Sequence, residues 1–178
     1  MYLRHIQTIA STAHALYLST TSGLYLCGHD IDYPYSLIWS MAFFLMDLLY
    51  MVTIAKSVDS TMIIHHGIGV VALIPNLFTP NPIYYYISSI GFLSEISTIP
   101  LNICWYLHDT KQTSCILYKP AGFATIILYI PFRLIGFPYT LLLLFNNCYW
   151  VLLPFAGLLT VLNYIWFFKL VKRAIKLN

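Results

Sequence analysis

The chain of 178 residues is 60% hydrophobic and carries only 9 Lys and Arg with 6 Asp and Glu, 8% of its length, against roughly 25% charged residues in a soluble domain. At a mean hydropathy of +0.76 that charge cannot cover a water-soluble particle, so the apolar excess must face lipid. The small net charge of +3, with its basic residues scattered, excludes a nucleic-acid binder, and the same composition excludes disorder. An integral membrane protein is expected, all-α and polytopic, with residues 1–178 as one transmembrane domain.

The first apolar window, residues 6 to 27, follows Arg4 and holds Gln7, Thr8, Ser11, Thr12 and His14. That polarity makes it the weakest span and argues against a cleavable signal peptide. A turn at His29-Asp30-Ile31-Asp32-Tyr33-Pro34 leads to residues 35 to 55, which contain Asp47, and Lys56 to Ser60 to residues 62 to 78, which contain His65-His66. Thr79-Pro80-Asn81-Pro82 then separates residues 83 to 107, with Glu95, and His108 to Pro120 precedes residues 121 to 144, with Arg133. After Asn146-Asn147 the last window covers residues 149 to 171. Each window approaches the roughly 17 to 25 residues a spanning helix needs. Helix is the expected form because an open segment in lipid must satisfy its own backbone polar groups.

Six alternating spans would place Arg4, Lys56, Lys111, Lys119, Lys169, Lys172, Arg173 and Lys176 on one side and no Lys or Arg on the other. Cytoplasmic loops collect such residues, so both termini are expected in the cytosol. The basic run Lys169 to Lys176 reads as a helix end anchored at an anionic leaflet. Tyr84-Tyr85-Tyr86 and Tyr149-Trp150 read as interfacial anchors.

Ionisable side chains inside spans are costly unless paired or hydrated, which marks His14, Asp47, His65, His66, Glu95 and Arg133. Their similar depth predicts a shared polar cavity open to the cytosol. A neutral imidazole there could take up a proton, with Asp47 holding its tautomer, which is the chemistry of a general base or acyl acceptor. The alternative is structural: Arg133 pairs with Glu95 or Asp47, the histidines bond to backbone or Tyr hydroxyls, and the bundle is locked. A proton-coupled transporter also fits the buried charges, without a repeat to support it. Cys27, Cys104, Cys115 and Cys148 form no CxxC pair, and no HExxH-like spacing occurs, so no metal site is indicated. A Cys27–Cys148 disulfide is open if their face is lumenal. The His29 to Asp32 run and His108-Asp109 read as solvated loop polarity. Phosphate loops and nucleophile elbows are absent, so no tightly bound cofactor is expected.

Several stretches in this order resemble the TLC-domain family, which includes ceramide synthases, translocating-chain-associating membrane proteins and TLC-domain-containing proteins. They are Arg4 to Ala15 with Ser11 and His14, Phe44-Leu45-Met46-Asp47-Leu48, His65-His66, Leu93-Ser94-Glu95-Ile96-Ser97-Thr98 with Pro100 and Asn102, Phe132-Arg133 with Pro138, and Leu162 to Lys169. The resemblance covers nearly the whole chain. It implies a six-helix membrane barrel, usually in the endoplasmic reticulum, with a lipid-sized cavity. By this resemblance His65 and His66 match the ceramide-synthase histidine pair and Asp47 an acidic position on the preceding span. Where those synthases carry an HDxSD-type cluster this chain has Gly91-Phe92-Leu93-Ser94-Glu95, a form closer to the non-synthase branch. The implied function is lipid homeostasis through binding of a sphingoid base, ceramide or phospholipid, with a homodimer as one assembly. The implied alternative is an N-acyltransferase that joins acyl-CoA, as co-substrate, to a sphingoid base. Expected catalytic residues are His65, His66 and Asp47, and expected substrate contacts are His14, Ser94, Glu95, Asn102 and Arg133.

Overall fold

A computed structural model describes residues 2–55, 59–78 and 81–176. Lys56 and the Thr79-Pro80 part of the third expected connector lie outside the described residues. The fold is 86% helix, with no strand among the described residues. Helices α1 (Tyr2–Leu26), α2 (Tyr33–Thr53) and α3 (Ser60–Phe78) are followed by α4 (Pro82–Phe92), which runs through a 3-10 segment (Leu93–Ser97) into α5 (Thr98–Asp109). Next, α6 (Tyr118–Tyr129) passes through a π-helical segment (Ile130–Ile135) into α7 (Gly136–Asn146), and α8 (Leu153–Lys176) ends the chain. These elements make six rods that follow the six apolar windows closely.

Local chemistry sets the boundaries. Gly28 takes φ +79° after α1, a left-handed turn that glycine adopts without steric penalty. Pro34 occupies the first turn of α2, where its missing N–H is not needed. The Asn81 side chain accepts the Ile83 amide at 2.9 Å, with Pro82 at the first helical position of α4. Pro120 was expected in a connector and instead lies in the first turn of α6, for the same reason as Pro34. In the fifth rod Pro131 removes an amide donor inside an apolar helix, and the backbone widens there into the π segment.

Four rods are long and apolar enough to cross a membrane: Tyr33–Thr53, Pro82–Asp109, Tyr118–Asn146 and Leu153–Ile175. In α3 the apolar stretch is shorter, Ser60–Pro75, and α1 is long but rich in hydroxyl, amide and imidazole groups. Only 17% to 33% of residues in the four apolar windows are buried, so their large side chains point outward. Met46, Phe123 and Phe168, each about two thirds exposed, belong against lipid rather than water.

The rods pack in a closed circuit. α1 contacts α2 and the whole fourth rod; α2 contacts α3, α3 contacts α8, α8 contacts the fifth rod, and the fifth contacts the fourth. Fully buried Ser22, Ser40, Ser89 and Ser97 allow close helix approach while keeping their hydroxyls bonded. Three contacts define one end of the bundle: Arg4 Nε to Asp109 Oδ2 at 2.9 Å, Lys169 Nζ to Asp59 Oδ2 at 3.0 Å, and Trp166 Nε1 donating to Thr61 Oγ1 at 3.0 Å. The start of α1 and the far part of α8 therefore share that end. The opposite end is closed by stacked Tyr25 and Tyr33, and by a cluster of Tyr84, Ile87, Leu144, Leu152 and Ala156.

Candidate functional site

Successive residues on an α-helix point about 100° apart, and α3 uses that angle to separate its two histidines. His66 is buried and turns toward α2, with Nδ1 3.1 Å from Asp47 Oδ2. The contact is close but off the axis of a hydrogen bond. The other carboxylate oxygen of Asp47 accepts from Gln7 Nε2 at 2.9 Å, so one buried carboxylate links α1, α2 and α3. His14 belongs to the same region. Its Nε2 lies 3.2 Å from Ser40 Oγ, and its ring stacks on Phe43 at 4.0 Å. Phe44 then bridges the His14 and His66 rings by edge contacts.

His65 faces the other way. Its ring meets Trp166 of α8 edge-on at 5.2 Å, and its Nδ1 is buried without a hydrogen-bond partner. It forms part of the wall of a cavity of about 110 Å³ enclosed by α3, α4, the 3-10 segment, α7 and α8, with Phe44 of α2 at its side. By the same measure a water takes roughly 10–15 Å³, so the space suits several waters or a stretch of acyl chain. Its polar lining comes from His65, Ser88, Ser94, Glu95 and Thr140. Most of the remaining wall is apolar, including Ile68, Leu73, Ile87, Phe137, Leu144 and Leu159. Across its far end the Tyr84 hydroxyl donates to the Ala72 carbonyl, tying α4 to α3.

The 3-10 segment positions two of these polar groups, Ser94 and Glu95. At three residues per turn, side chains at i and i+3 eclipse, so Ser94 and Ser97 line up, and Ser97 Oγ donates to the Ser94 carbonyl at 2.8 Å. Ser94, Glu95 and Ser97 are all buried as a result. Facing them, the π segment of the fifth rod carries Arg133 inward. Its Nε donates to Ser97 Oγ at 2.8 Å, Nη2 to Thr98 Oγ1 at 2.8 Å and Nη1 to Asn163 Oδ1 at 3.1 Å. The guanidinium also lies 3.7 Å from Glu95 and 5.2 Å from the centre of the Tyr129 ring. Tyr129 in turn donates its hydroxyl to Asn163 Oδ1 at 3.0 Å. An intramembrane cation is thereby matched by a carboxylate, three side-chain acceptors and a ring face.

The expected layer of ionisable groups thus divides into two packed networks, and only His65, Ser94 and Glu95 of the expected site residues line the cavity. His66 and Asp47 pair beside it, and Arg133 stands behind Glu95. His14 serves the α1–α2 contact. Asn102 Nδ2 donates to Ser11 Oγ and Thr12 Oγ1, both at 3.1 Å, and so fixes the fourth rod to α1. The expectation of a polar cavity shared by the whole ionisable layer is corrected. The cavity is mostly apolar, and its body lies toward the α3–α4 and α7–α8 turns, because the buried polar groups satisfy one another and leave little polar surface to face a shared space. The structural alternative holds for the Arg133–Glu95 pair, whereas the histidines meet a carboxylate, a Ser hydroxyl and aromatic rings. Gln7, Ser97, Thr98, Asn163 and Trp166 complete these networks without having been singled out as site residues. An uncharged Asn or Gln inside an apolar window was the available signal. Among the described residues no group of three or more His, Cys, Asp or Glu converges as a metal site. Cys27 and Cys148 are free and exposed.

The family model for the TLC domain matches residues 3–172, a stretch that includes all six rods apart from their outermost residues. The chain belongs to the TLC-domain family. No curated protein and no solved structure matches it. In this TLC domain the resemblance drawn from sequence motifs is confirmed at the level of the family. The segment that departs from the ceramide-synthase pattern, Gly91 to Glu95, runs from the end of α4 into the 3-10 helix and contributes Gly91, Phe92, Ser94 and Glu95 to the cavity wall. The apolar helices and the TLC domain fit an integral membrane protein, and the TLC domain points to a lipid-related function.

Proposed function

We propose that this TLC domain binds a single membrane lipid inside its helical barrel and acts in lipid homeostasis. The lipid would be a sphingoid base, ceramide or phospholipid, and the membrane that of the endoplasmic reticulum, with both termini in the cytosol. The carrying observation is a cavity of about 110 Å³ inside the barrel whose wall is mostly apolar and includes the polar side chains of His65, Ser88, Ser94, Glu95 and Thr140. An amphipathic lipid fits such a wall, its amide, amine or hydroxyl group near His65, Ser94 and Glu95 and its chain among Ile87, Leu144 and Leu159. The His65 ring in the cavity wall offers a polar group toward which a headgroup would turn. The clustering of Arg4 and the α8 basic residues at one end supports a cytosolic assignment of that end.

The test is mass spectrometry of lipids that co-purify with the full chain and with Ala156→Phe, which places a ring in the cavity wall. A defined lipid in the parent and its loss in the variant is the expected result. Identical lipid content in the two, or none in the parent, overturns the proposal.

A second reading, N-acyl transfer, is favoured by the Asp47–His66 pair adjacent to His65. In that reading acyl-CoA is the co-substrate and His65 accepts a proton from the amine as it attacks the thioester carbonyl. The new C–N bond replaces the C–S bond, and the departing thiolate takes up the proton. His66 and Asp47 would act as positioning residues. Reactions with a sphingoid base and long-chain acyl-CoA should then form ceramide in the parent and lose it in His65→Ala; no ceramide from the parent refutes transfer while leaving lipid binding intact.

A further inference from the structure

At the end of the bundle that holds both termini, two guanidinium groups gather on one indole. Arg4, in the first turns of α1, has its Cζ 5.8 Å from the centre of the Trp105 ring, and Arg173, near the end of α8, has its Cζ 5.2 Å from the same ring. Trp105 belongs to α5 and is about one third exposed. Three rods therefore converge to bring like charges together. Arg4 is paired with Asp109 at 2.9 Å, whereas Arg173 has no ion pair among the described residues. The only carboxylates in this end's segments are Asp109 and Asp59, and Lys169 already pairs with Asp59 at 3.0 Å. The opposite α1–α2 turn carries Asp30 and Asp32 and no Lys or Arg. The domain is thus electrically lopsided, with its uncompensated cations at one membrane boundary.

We propose that Arg4 and Arg173, gathered on Trp105, bind the phosphate of an anionic phospholipid in the surrounding leaflet. The physical reasons are independent of what occupies the internal cavity. Guanidinium forks match phosphate oxygens in a bidentate geometry. A phosphate at this end supplies Arg173 with the counter-charge it lacks, beside an Arg4 that Asp109 already pairs. The helices that carry them have apolar outer faces, so the anion nearest to hand at their ends is a lipid phosphate, and an indole at that depth is a common interfacial anchor. A site shared by the first, fourth and sixth rods would also couple leaflet charge to closure of the helical circuit.

The experiment uses the full chain in nanodiscs of phosphatidylcholine containing a minority of phosphatidic acid, with bound lipid counted by native mass spectrometry after release. Each cation near an anionic leaflet contributes about fivefold in affinity, so Arg4→Gln/Arg173→Gln is expected to lose phosphatidic acid about thirtyfold. Lys172→Gln, one residue away but outside the cluster on Trp105, is expected to lose about fivefold or less. Arg4→Lys/Arg173→Lys keeps the charge and guards against a folding defect; it should bind more weakly than the parent because it lacks the forked donors. Ala156→Phe separates this site from the cavity, since it should retain phosphatidic acid while releasing any internal lipid. Equal retention in the Gln double variant, an equal loss in Lys172→Gln, undiminished binding in the Lys double variant, or loss confined to Ala156→Phe overturns the proposal. Binding that inorganic phosphate abolishes in detergent without any dependence on lipid likewise overturns the lipid assignment.

Discussion

Replacing Arg133 by Met keeps an extended apolar stem and removes one charge from the middle of the bundle. In the native chain that guanidinium makes hydrogen bonds of 2.8, 2.8 and 3.1 Å to Ser97, Thr98 and Asn163 and stands 3.7 Å from Glu95. Its loss leaves Ser97 and Thr98 without their charged donor, whereas Asn163 Oδ1 keeps the Tyr129 hydroxyl. The larger effect is on Glu95, a buried carboxylate whose one cationic partner disappears. Breaking a buried pair on one side costs about 3–5 kcal/mol, and that is the expected loss of stability in a detergent unfolding assay. Glu95→Gln should cost less, about 1 kcal/mol, because at 3.7 Å the pair is looser than a hydrogen bond and the amide can still be solvated from the cavity. In the Glu95→Gln background Arg133→Met should therefore cost about 1–2 kcal/mol less than it does alone, a coupling that a double-mutant cycle reads directly. Additive costs would refute the assignment of Arg133 as the partner of Glu95, and a change below about 1 kcal/mol for Arg133→Met would refute the whole clamp.

The two adjacent histidines should separate in their effects: His66→Ala strips Asp47 of its imidazole neighbour and lowers stability by about 1–3 kcal/mol, while His65→Ala, which removes an unpartnered nitrogen from the cavity wall, changes stability less and lipid retention more. Thermal unfolding beside lipid analysis checks this, and the reverse order would show that the roles are exchanged. Ala156→Phe is expected to fold, with a cost held below the about 1–3 kcal/mol of overpacking because there is space beside it; a larger loss measured by unfolding would mean that the cavity cannot take the ring. The Thr61 hydroxyl and the Lys169 ammonium hold the Asp59 carboxyl down to about 2. Its stabilising contribution is therefore full above the ordinary carboxylate range and fades as pH falls toward that value. Since this pair is half exposed, Asp59→Asn should cost only about 0.5 kcal/mol at neutral pH, and a difference from the parent that does not shrink on acidification would count against the pairing.

Hydropathy made six helices legible because lipid leaves a chain few other choices: the windows at residues 35 to 55 and 121 to 144 differ from the observed rods by only a few residues. Helix type was less legible. Nothing in the apolar content of Leu93–Ser97 distinguishes a 3-10 turn from an α-helix, although the closely spaced Ser94, Ser97 and Thr98 offered hydroxyls that the tighter winding could align. Pro131 marked a break in the fifth window without saying that the backbone would widen rather than kink. The ionisable residues were found because charge in an apolar window is conspicuous, but their pairing depends on rotation about each helix axis, which a pattern of hydrophobicity constrains only loosely. His65 and His66 illustrate the limit: their divergence by about 100° followed from helical geometry, whereas the choice of which one faced the cavity required the positions of Asp47 on α2 and Trp166 on α8.

The division of the polar groups into two networks also explains why the cavity remains mostly apolar. A buried charge in a membrane protein must be answered by neighbouring side chains or by water. Gln7, Asp47 and His66 answer one another across the first three rods, and Arg133, Glu95, Ser97, Thr98 and Asn163 do so across the last three. Between these two sets stands His65, whose Nδ1 neither network satisfies. An orphaned polar atom of this kind carries a free-energy cost of about 1–3 kcal/mol, and because Nδ1 is closed off from the cavity a ligand there relieves that cost only if the ring turns. The networks hold the wall in place, and His65, belonging to neither, is the imidazole that this wall presents to the cavity.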